Sequence, residues 1–479
     1  MNWADGSLHN GVRLVIPRRW LFSCVAFVTS IAIVGTSVAA VITVPGSSAT
    51  IQGAIALAAD GDTILVSNGT YHETINFTGK NVIVRSVNGS AATTIVAAPQ
   101  MPSVLFVNAE SRAAMLSGFT ITGGSPGFVP PYFGDGGGIF VSGSAAPTII
   151  NNVITNNVAC NGGGIASQNA SPLVQGNLIS GNHADCSQLG FSGLFWGGGI
   201  SLAGASAAEV RGNMIIDNVA GVGSGIGMFA AGTPIIANNI LLRNFASNDC
   251  QSIGGTVWMV NESDADIIQN LIANNTATCS AGVVWSVPSG ARGPNLINNT
   301  IALNDTAGVI GGGFDDNIRM VNNIVVAKPG QTAIVCGHSY GNPNQFRNNV
   351  VFSSNGADYV GSCASQRGIN GNQPVDPNFV SGLGGDFHLA AGSRAIDAGF
   401  NGEPMIPSMD LDGKPRIVDG NGDRTATIDA GAFEASAPVV SVPTLTLSGL
   451  AVLVLMLASA GGIRLGRSAR WSPLGRRVG

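Results

Sequence analysis

Residues 147–159 read Pro147-Thr148-Ile149-Ile150-Asn151-Asn152-Val153-Ile154-Thr155-Asn156-Asn157-Val158-Ala159, and this stretch sets the register of the chain. Five later segments share its frame and form two asparagine columns, five positions apart. The first column is Asn152, Asn177, Asn213, Asn239, Asn270 and Asn299, and the second is Asn157, Asn182, Asn218, Asn244, Asn275 and Asn304. The units are about 25 to 36 residues long, a length typical of stacked repeats.

Asparagine suits such a stack for two reasons. It tolerates the left-handed backbone of a tight turn, and its side-chain amide can hydrogen-bond to the asparagine above and below. We therefore predict that both columns are structural rather than ligand-binding. A glycine step opens most units, as in Gly136-Gly137-Gly138 and again in Gly311-Gly312-Gly313.

The composition supports a regular, glycine-rich β structure. The chain has 479 residues, of which 67 are glycine and only 10% are charged. It is too apolar for a disordered protein and unlike an ordinary helical domain. The net charge is -5, but arginines are concentrated at the two ends, so the body between them is more acidic. A nucleic-acid partner is therefore not expected.

Both ends of the chain carry targeting signals. Arg18-Arg19, the apolar residues 20–34 and the small residues up to Ala40 predict a signal peptide over residues 1–40; an uncleaved anchor is the alternative. Residues 447–463 are apolar and the arginines of residues 464–479 follow them. This pattern predicts a transmembrane helix with a basic cytoplasmic tail. We expect an exported protein, membrane-anchored at the cell surface or secreted after C-terminal processing.

Cysteine spacing agrees with export. Outside the signal segment the cysteines are Cys160, Cys186, Cys250, Cys279, Cys336 and Cys363. The members of each consecutive pair are separated by one repeat, so they should occupy matching positions on neighbouring coils. Stacked strands lie about 4.8 Å apart, close to the Cα separation of a disulfide. Three inter-coil disulfides are predicted, with buried free thiols as the alternative.

The N-terminal part resembles a known superfamily. Residues 49–58 have apolar residues at helical spacing, with Ser47 or Ser48 as a candidate N-cap, and the apolar run 63–66 reads as a strand. With the segments 69–73 and 80–86, this order resembles the start of right-handed parallel β-helix proteins of the pectate-lyase-like superfamily. The resemblance implies an all-β fold. We expect a single right-handed parallel β-helix solenoid over residues 62–365, with an N-terminal cap and capping helix in residues 41–61.

The C-terminal part resembles two anchoring elements. The motifs at 386–389, 392–399, 410–416 and 428–434 resemble the "choice-of-anchor Q" region of exported bacterial proteins, which we assign to residues 366–435. The linker 436–446 contains a motif that resembles an IPTL-type sorting signal, although Val442 stands for Ile, Thr446 for Ser and Ser448 for Trp. Its residues are Val442, Pro443, Thr444, Leu445 and Gly449. The resemblance implies sorting machinery as a partner; an ordinary tail anchor is the alternative.

Three insertions indicate a binding face. Residues 125–135, 185–196 and 247–253 lengthen the same turn of different coils, so they should emerge along one edge of the rod, which is often the binding side of a solenoid. Two of them carry aromatic residues. These are Phe128, Tyr132 and Phe133 in the first insertion and Phe191, Phe195 and Trp196 in the second.

Strand alternation predicts a second aromatic surface. The residue after the inward apolar residue of each glycine step should point outward. By this count the outward column contains Phe140, Ala166, Ser201, Gly227, Trp258, Trp285 and Asp315. Aromatic rings that stack on sugars, beside a carboxylate that accepts from hydroxyl groups, would suit a carbohydrate. The alternative is that loops cover these tryptophans, which then only pack.

Signals for catalysis and metal binding are weaker. Asp217 and Arg243 share an offset on neighbouring coils, and a surface salt bridge is the expected explanation. Residues 419–423, with Asp429 behind them, resemble a calcium loop in which Arg424 replaces the usual glycine. The candidate calcium ligands are Asp419, Asn421, Asp423 and Asp429; a plain polar turn is the alternative.

Taken together, the sequence favours an exported, surface-anchored β-helix that binds or organises a polysaccharide or cell-surface glycan. A polysaccharide lyase or glycoside hydrolase of pectate-lyase-like type is the first alternative. A structural stalk or adhesin is the second.

Overall fold

A computed structural model describes residues 39–437 except 192, 248–253, 280, 288–291, 314–318 and 338–344. The predicted signal peptide, sorting motif, transmembrane helix and basic tail lie outside the described residues. Among the residues that are described, no helix has the length and hydropathy needed to cross a membrane.

The described chain winds through four parallel sheets, here called A, B, C and D. One coil passes along sheet C, sheet A, sheet B and, in five coils, the short sheet D, and each strand pairs with its equivalents in the coils before and after. Sheet A consists of Val41–Val44, Thr63–Val66, Ile83–Ser86, Met115–Ser117, Thr148–Ile150, Leu173–Gln175, Glu209–Arg211, Ile235–Ala237, Asp266–Ile268, Asn295–Ile297, Arg319–Val321 and Gln345–Arg347. Sheet B consists of Gly69–His72, Thr93–Val96, Thr120–Thr122, Val153–Thr155, Leu178–Ser180, Met214–Ile216, Ile240–Leu242, Leu271–Ala273, Thr300–Ala302, Ile324–Val326 and Val350–Phe352.

The remaining strands form sheets C and D and two hairpins. Sheet C consists of Ile75–Asn76, Val104–Phe106, Ile139–Val141, Ile165–Gln168, Ile200–Ala203, Ile226–Phe229, Gly255–Val260, Ala281–Val287, Ala307–Gly313, Thr332–Cys336 and Tyr359–Gly361. Sheet D consists of Val158–Ala159, His183–Ala184, Val219–Ala220, Phe245–Ala246 and Thr276–Ala277. The antiparallel hairpins pair Phe379–Ser381 with Asp386–Leu389 and Ile417–Val418 with Thr427–Ile428. Short 3-10 helices span Ser187–Leu189, Ala364–Gln366 and Gly382–Gly384.

Short strands with alternating faces produce one continuous core. In sheet A the middle residue of each short strand points inward, as Ile149, Val174 and Val210 do on successive coils, and all three are fully buried. The same column of branched apolar side chains recurs in sheets B and C. Stacking is therefore what removes the apolar residues of one coil from water, because a single coil has no second layer to bury them.

The two asparagine columns form hydrogen-bonded ladders, as predicted. In the first ladder the backbone N–H and side-chain Nδ2 of Asn152 both donate to Oδ1 of Asn177, over 2.9 and 3.2 Å. The contact repeats on each coil through Asn323 and Asn349, which keep the first column in the sequence, and ends at Asn372, which the sequence prediction missed. The second ladder begins where Gly124 donates its N–H to Asn157 and ends at Asn304.

The left-handed turns lie one residue before each ladder asparagine. Asn151 and Asn156 have φ of 57° and 55°, and glycines stand at the equivalent positions 176 and 181 on the next coil. The prediction assigned both roles to the same asparagine. The structure assigns the strained turn to one residue and the amide ladder to the next.

A helix caps the N-terminal end of the rod. The helix spans Ile51–Leu57, and its N-cap is Thr50, whose side chain accepts from the N–H of Gly53. The predicted N-cap at Ser47 or Ser48 is therefore wrong. The Glu73 carboxylate adds a second cap by accepting from the N–H groups of Ile51 and Gln52. A strand that precedes the helix, Val41–Val44, pairs with Thr63–Val66.

Two of the predicted disulfides are present on neighbouring coils. Cys160 pairs with Cys186, and Cys336 pairs with Cys363. Their Cα atoms are 4.5 and 5.6 Å apart. Cys279 is also disulfide-bonded, whereas Cys250, its predicted partner, lies outside the described residues.

Residues 374–437, here called the return segment, fold back along sheet B. Its apolar residues Phe387, Ala432 and Phe433 pack on the outer face of sheet B, including Ile324 and Val350. Its backbone is also fixed to the rod, because Thr300 Oγ1 accepts from the N–H of Ala432 over 2.9 Å.

Two of the C-terminal motifs, 410–416 and 428–434, meet in a buried ionic cluster. The Arg416 guanidinium, 1% exposed, lies 3.6 Å from the Glu434 carboxylate. Glu434 accepts from the N–H of Asp429, and Asp410 accepts from the N–H of Glu434. Burial, followed by the nearby Asp429 carboxylate, raises the pKa of Glu434 to about 8. Burial likewise raises the pKa of Asp429 to about 6.

Candidate functional site

Two of the predicted insertions meet at one edge of the rod. Phe128 of the first insertion packs against Phe191 of the second, with ring centroids 4.7 Å apart, and against Phe133, 5.8 Å away. All three rings are 43–53% exposed. We call Phe128, Phe133 and Phe191 the aromatic edge. The sequence prediction that these insertions share one edge is confirmed for the two insertions that the structure describes.

Covalent and backbone contacts fix the base of the second insertion. Cys186 is bonded to Cys160 on the preceding coil, and the short helix Ser187–Leu189 follows immediately. The far end of the insertion is held where the N–H of Trp196 donates to the side chain of Asn161 over 3.1 Å. The second insertion is therefore tied to the rod at both ends.

A pocket of about 280 Å³ lies between the bases of the two insertions. Its wall includes Ser125 and Gly127 from the first insertion, Asp185 and Leu189 from the second, and Gln100. The N–H and hydroxyl of Ser187 donate to Asp185, and the backbone bond is the main cause that lowers the pKa of this carboxyl. The pocket thus has a charged acceptor at neutral pH and apolar rings nearby.

The predicted outward column of sheet C matches the strand register from Phe140 to Trp258, but loops and rings cover much of this column. Phe140 and Ala166 are fully buried, because Tyr132 of the first insertion packs over them. Trp196 lies against Gly227, where a Cβ would meet the indole at 2.9 Å. Phe195 and Trp196 are only partly exposed.

Trp196 organises a second group of rings beside the aromatic edge. It stacks on Phe229, with ring centroids 5.7 Å apart, and it contacts Trp258 at 6.3 Å. Phe229 is 41% exposed. Phe229 was missed by the sequence analysis, although its position two residues after Gly227 on the same strand predicts an outward side chain.

The predicted outward position of Trp285 is wrong. Trp258 pairs with Val284, so Trp285 takes the inward register of Met259 and is 1% exposed. Its indole packs on Gly311, where a Cβ would lie 2.7 Å from the ring. Gly311 therefore belongs to the end of strand Ala307–Gly313 and makes room for a core tryptophan.

The error in register has a physical cause. The glycine steps at 136 and 162 come immediately before a strand of sheet C, whereas Gly311-Gly312-Gly313 ends one. Taking these glycines as a step moved the predicted outward position of that coil to Asp315, whereas Ile310 pairs with Val284 there. At Trp285 the count is one residue late, because Val283 and Val284 are both apolar and Val283, which pairs with Val257, is the inward one. Asp315, the last predicted member of that column, lies outside the described residues.

Asp135 adds a buried carboxyl at the end of the first insertion. Its Oδ1 accepts from Asn161 Nδ2 over 3.0 Å, and its Oδ2 accepts from Gln168 Nε2 over 2.6 Å. Burial raises the pKa of Asp135 to about 6, although these hydrogen bonds oppose the shift. Asp135 was not singled out from the sequence, because its burial depends on the fold of the insertion.

Three of the candidate calcium ligands, Asp419, Asn421 and Asp423, accept hydrogen bonds within one turn. Asp419 accepts from the N–H groups of Gly422 and Arg424, and Asp423 accepts from that of Thr425. Asp429 is buried and accepts from the N–H groups of Asp397 and Ala435. Within the part of the chain that the structure describes, no group of three or more His, Cys, Asp or Glu side chains is placed to hold a metal ion.

Asp217 and Arg243 form the predicted surface salt bridge. The guanidinium donates two hydrogen bonds to the carboxylate, over 2.9 and 2.8 Å. Both side chains are about half exposed, so the pair is a surface contact between neighbouring coils.

The sheet topology defines the protein as a parallel β-helix. The family described as "Right handed beta helix region" matches residues 132–247, which include the second aromatic insertion and the end of the first but not Phe128. A crystal structure of pectate lyase Pel9A aligns with 84% of this chain and 98% of its own, at 16% sequence identity and a TM-score of 0.39. No curated protein matches the chain.

Proposed function

We propose that this β-helix binds a polysaccharide or cell-surface glycan along the aromatic edge. The observation that carries the proposal is the meeting of two half-exposed rings from different insertions, Phe128 and Phe191, at 4.7 Å. Exposed apolar rings grouped on a soluble surface favour a binding site. Sugars match this surface because their C–H faces pack on aromatic rings.

The pocket at the base of the insertions supports a sugar rather than a purely apolar partner. Asp185 offers acceptor oxygens for hydroxyl groups, and Gln100 contributes an amide to the same wall. Apolar rings with a few polar groups are the usual composition of a small-molecule site. The disulfide at Cys186 holds the second insertion in place before the ligand arrives, which reduces the entropic cost of binding.

Binding of the full-length protein to a panel of neutral and acidic glycans tests the proposal. We expect retention on at least one glycan with no change in the glycan itself. Release of unsaturated or reducing ends would contradict a binding-only role and favour a lyase or hydrolase. Failure to bind any glycan would contradict the proposal and favour a structural stalk.

Export to the cell surface is part of the same proposal. Inter-coil disulfides support it, because such bonds persist mainly in oxidising compartments. Mass spectrometry of the mature protein tests this part. An N-terminus near residue 40 is expected, and a protein that retains residues 1–38 in a reducing compartment would contradict it.

A further inference from the structure

We propose that a second pocket, between sheet A and the return segment, binds the carboxylate of an acidic sugar. The pocket has a volume of about 610 Å³ and lies at the last two described strands of sheet A. Its principal side chains are Arg319, Gln345, Arg347, Asn370, Phe400 and Glu403. It is separate from the aromatic edge, and the proposal does not depend on that site.

Arg347 is the group that selects the ligand charge. Its guanidinium carbon lies 3.4 Å from the centroid of the Phe400 ring, so the guanidinium packs over the ring. The guanidinium forms no ion pair with a carboxylate among the described residues. A guanidinium held over a ring keeps its edge N–H donors available, and these donors match the two oxygens of a carboxylate.

The other charges of the pocket are already neutralised. Arg319 donates two hydrogen bonds to Glu403, over 2.8 and 2.5 Å, and the Glu403 side chain is fully buried. This pair contributes no net charge, which leaves Arg347 as the excess positive charge. The surrounding body is acidic overall, so the pocket is a local exception that attracts an anion.

The pocket wall is fixed in advance by asparagines at the turns of the rod. Asn322 accepts from the N–H of Phe400 over 2.7 Å and donates to its carbonyl oxygen over 3.2 Å. Asn348 donates to the carbonyl of Ala398 over 2.8 Å. These contacts hold the ring under Arg347, so the guanidinium needs little ordering when a ligand binds.

Amide side chains make the pocket suitable for a sugar rather than for a simple anion. Gln345 and Asn370 are exposed on the pocket wall and supply both donors and acceptors. The hydroxyl groups of a sugar ring require both kinds of partner. A volume of about 610 Å³ accommodates a molecule of this size.

Calorimetric titration of the full-length protein with glucuronic acid, glucose and inorganic phosphate tests this proposal. Glucuronic acid and glucose share a ring and differ at the carboxylate, so we expect glucose to bind at least tenfold more weakly. Phosphate should also bind more weakly, because it lacks a ring for the amides. Equal binding of glucose, or tighter binding of phosphate, would overturn the proposal.

Substitutions of Arg347 test whether this residue binds the carboxylate. Arg347→Gln should weaken glucuronic acid binding at least tenfold, and Arg347→Lys should restore only part of it, because an ammonium lacks the planar fork. Arg85→Gln is the matched control, since Arg85 is an exposed arginine on an early strand of sheet A. An affinity unchanged in Arg347→Gln would refute the assignment. Replacement of Phe128 and Phe191 should leave this binding intact, which separates it from the glycan-binding proposal.

Discussion

At the scale of single residues, adjacent asparagines have different tasks. Asn156 is exposed and supplies a left-handed turn, for which the next coil uses Gly181. Asn157 is fully buried, donates its side-chain amide to Asn182 and accepts from the N–H of Gly124. The sequence holds a signal for this division that the prediction did not use: the ladder position is asparagine in every unit of the column, whereas glycine replaces Asn156 at the turn position of the next coil.

Replacing each member of this pair with glycine separates the two roles. Asn157→Gly removes hydrogen bonds to both neighbouring coils and should reduce the free energy of unfolding by about 3 kcal/mol. Asn156→Gly keeps the left-handed turn and should change it by less than about 1 kcal/mol. Equilibrium denaturation in urea gives both values. Equal losses in the two variants would contradict this division of roles.

Trp258 and Trp285 also differ in burial. Trp285→Ala opens a cavity in the core and should cost about 3–5 kcal/mol of stability. Trp258 is only partly buried, so Trp258→Ala should cost about 1–2 kcal/mol. Thermal and urea denaturation of both variants measures the difference. A Trp258→Ala variant that is less stable than Trp285→Ala would contradict the observed register.

At the scale of elements, the disulfides support different parts of the rod. The bond between Cys160 and Cys186 closes a loop of 26 residues at the base of the second insertion, and the bond between Cys336 and Cys363 lies near the last coils. Cysteine spacing alone predicted both, because each pair occupies matching positions in the repeat. Their different relation to the aromatic edge becomes visible only in the structure.

Removing the first disulfide should affect both stability and glycan binding. Changing Cys160 and Cys186 to serine should cost about 3 kcal/mol of stability in the chain-entropy estimate and weaken glycan binding. Changing Cys336 and Cys363 to serine should also reduce stability but leave glycan affinity unchanged. Urea denaturation and glycan titration measure the two effects. If only the Cys336 and Cys363 variant lost glycan affinity, the aromatic edge would be contradicted as the binding site.

The return segment should make the stability of the protein depend on pH. The folded protein raises the pKa of Asp429 to about 6 and that of Glu434 to about 8, above their ordinary values. The folded state therefore binds more protons than the unfolded state from about pH 4 upwards, and the free energy of unfolding falls as the pH rises through about 6 and then about 8.

The Glu434→Gln variant tests the origin of this dependence. The variant cannot ionise at position 434, so its melting temperature should fall less between pH 7 and pH 9 than that of the wild type. Its absolute stability should be lower, because the side chain loses one acceptor for the N–H groups of Val418 and Asp429. An unchanged pH slope would contradict the assignment to Glu434.

At the scale of the whole molecule, contacts within the repeat were predictable and contacts between distant segments were not. The asparagine register predicted the stacking, the Asp217–Arg243 pair and the convergence of two insertions. The contact between Thr300 and Ala432 joins residues 132 positions apart and has no repeated pattern. The same applies to Arg347 and Phe400, which form the second pocket.

The aromatic edge was predictable as a location but not as a surface. Insertion length identified where the loops emerge, whereas ring exposure depends on how the loops fold. Tyr132 became buried, and Phe128 and Phe191 stayed exposed. Trp285 was misplaced by one residue, because Val283 and Val284 are both apolar and the sequence does not show which of them points inward.

Glycan affinity of a Phe128→Ala, Phe191→Ala double variant tests the central claim most directly. With the tightest ligand from the glycan panel, we predict at least tenfold weaker binding and an unchanged melting temperature, because both rings are half exposed. Leu383→Ala is the control, since Leu383 is 93% exposed on the return segment and should bind as the wild type does. An affinity of the double variant within twofold of the wild type would contradict the aromatic edge as the glycan-binding surface.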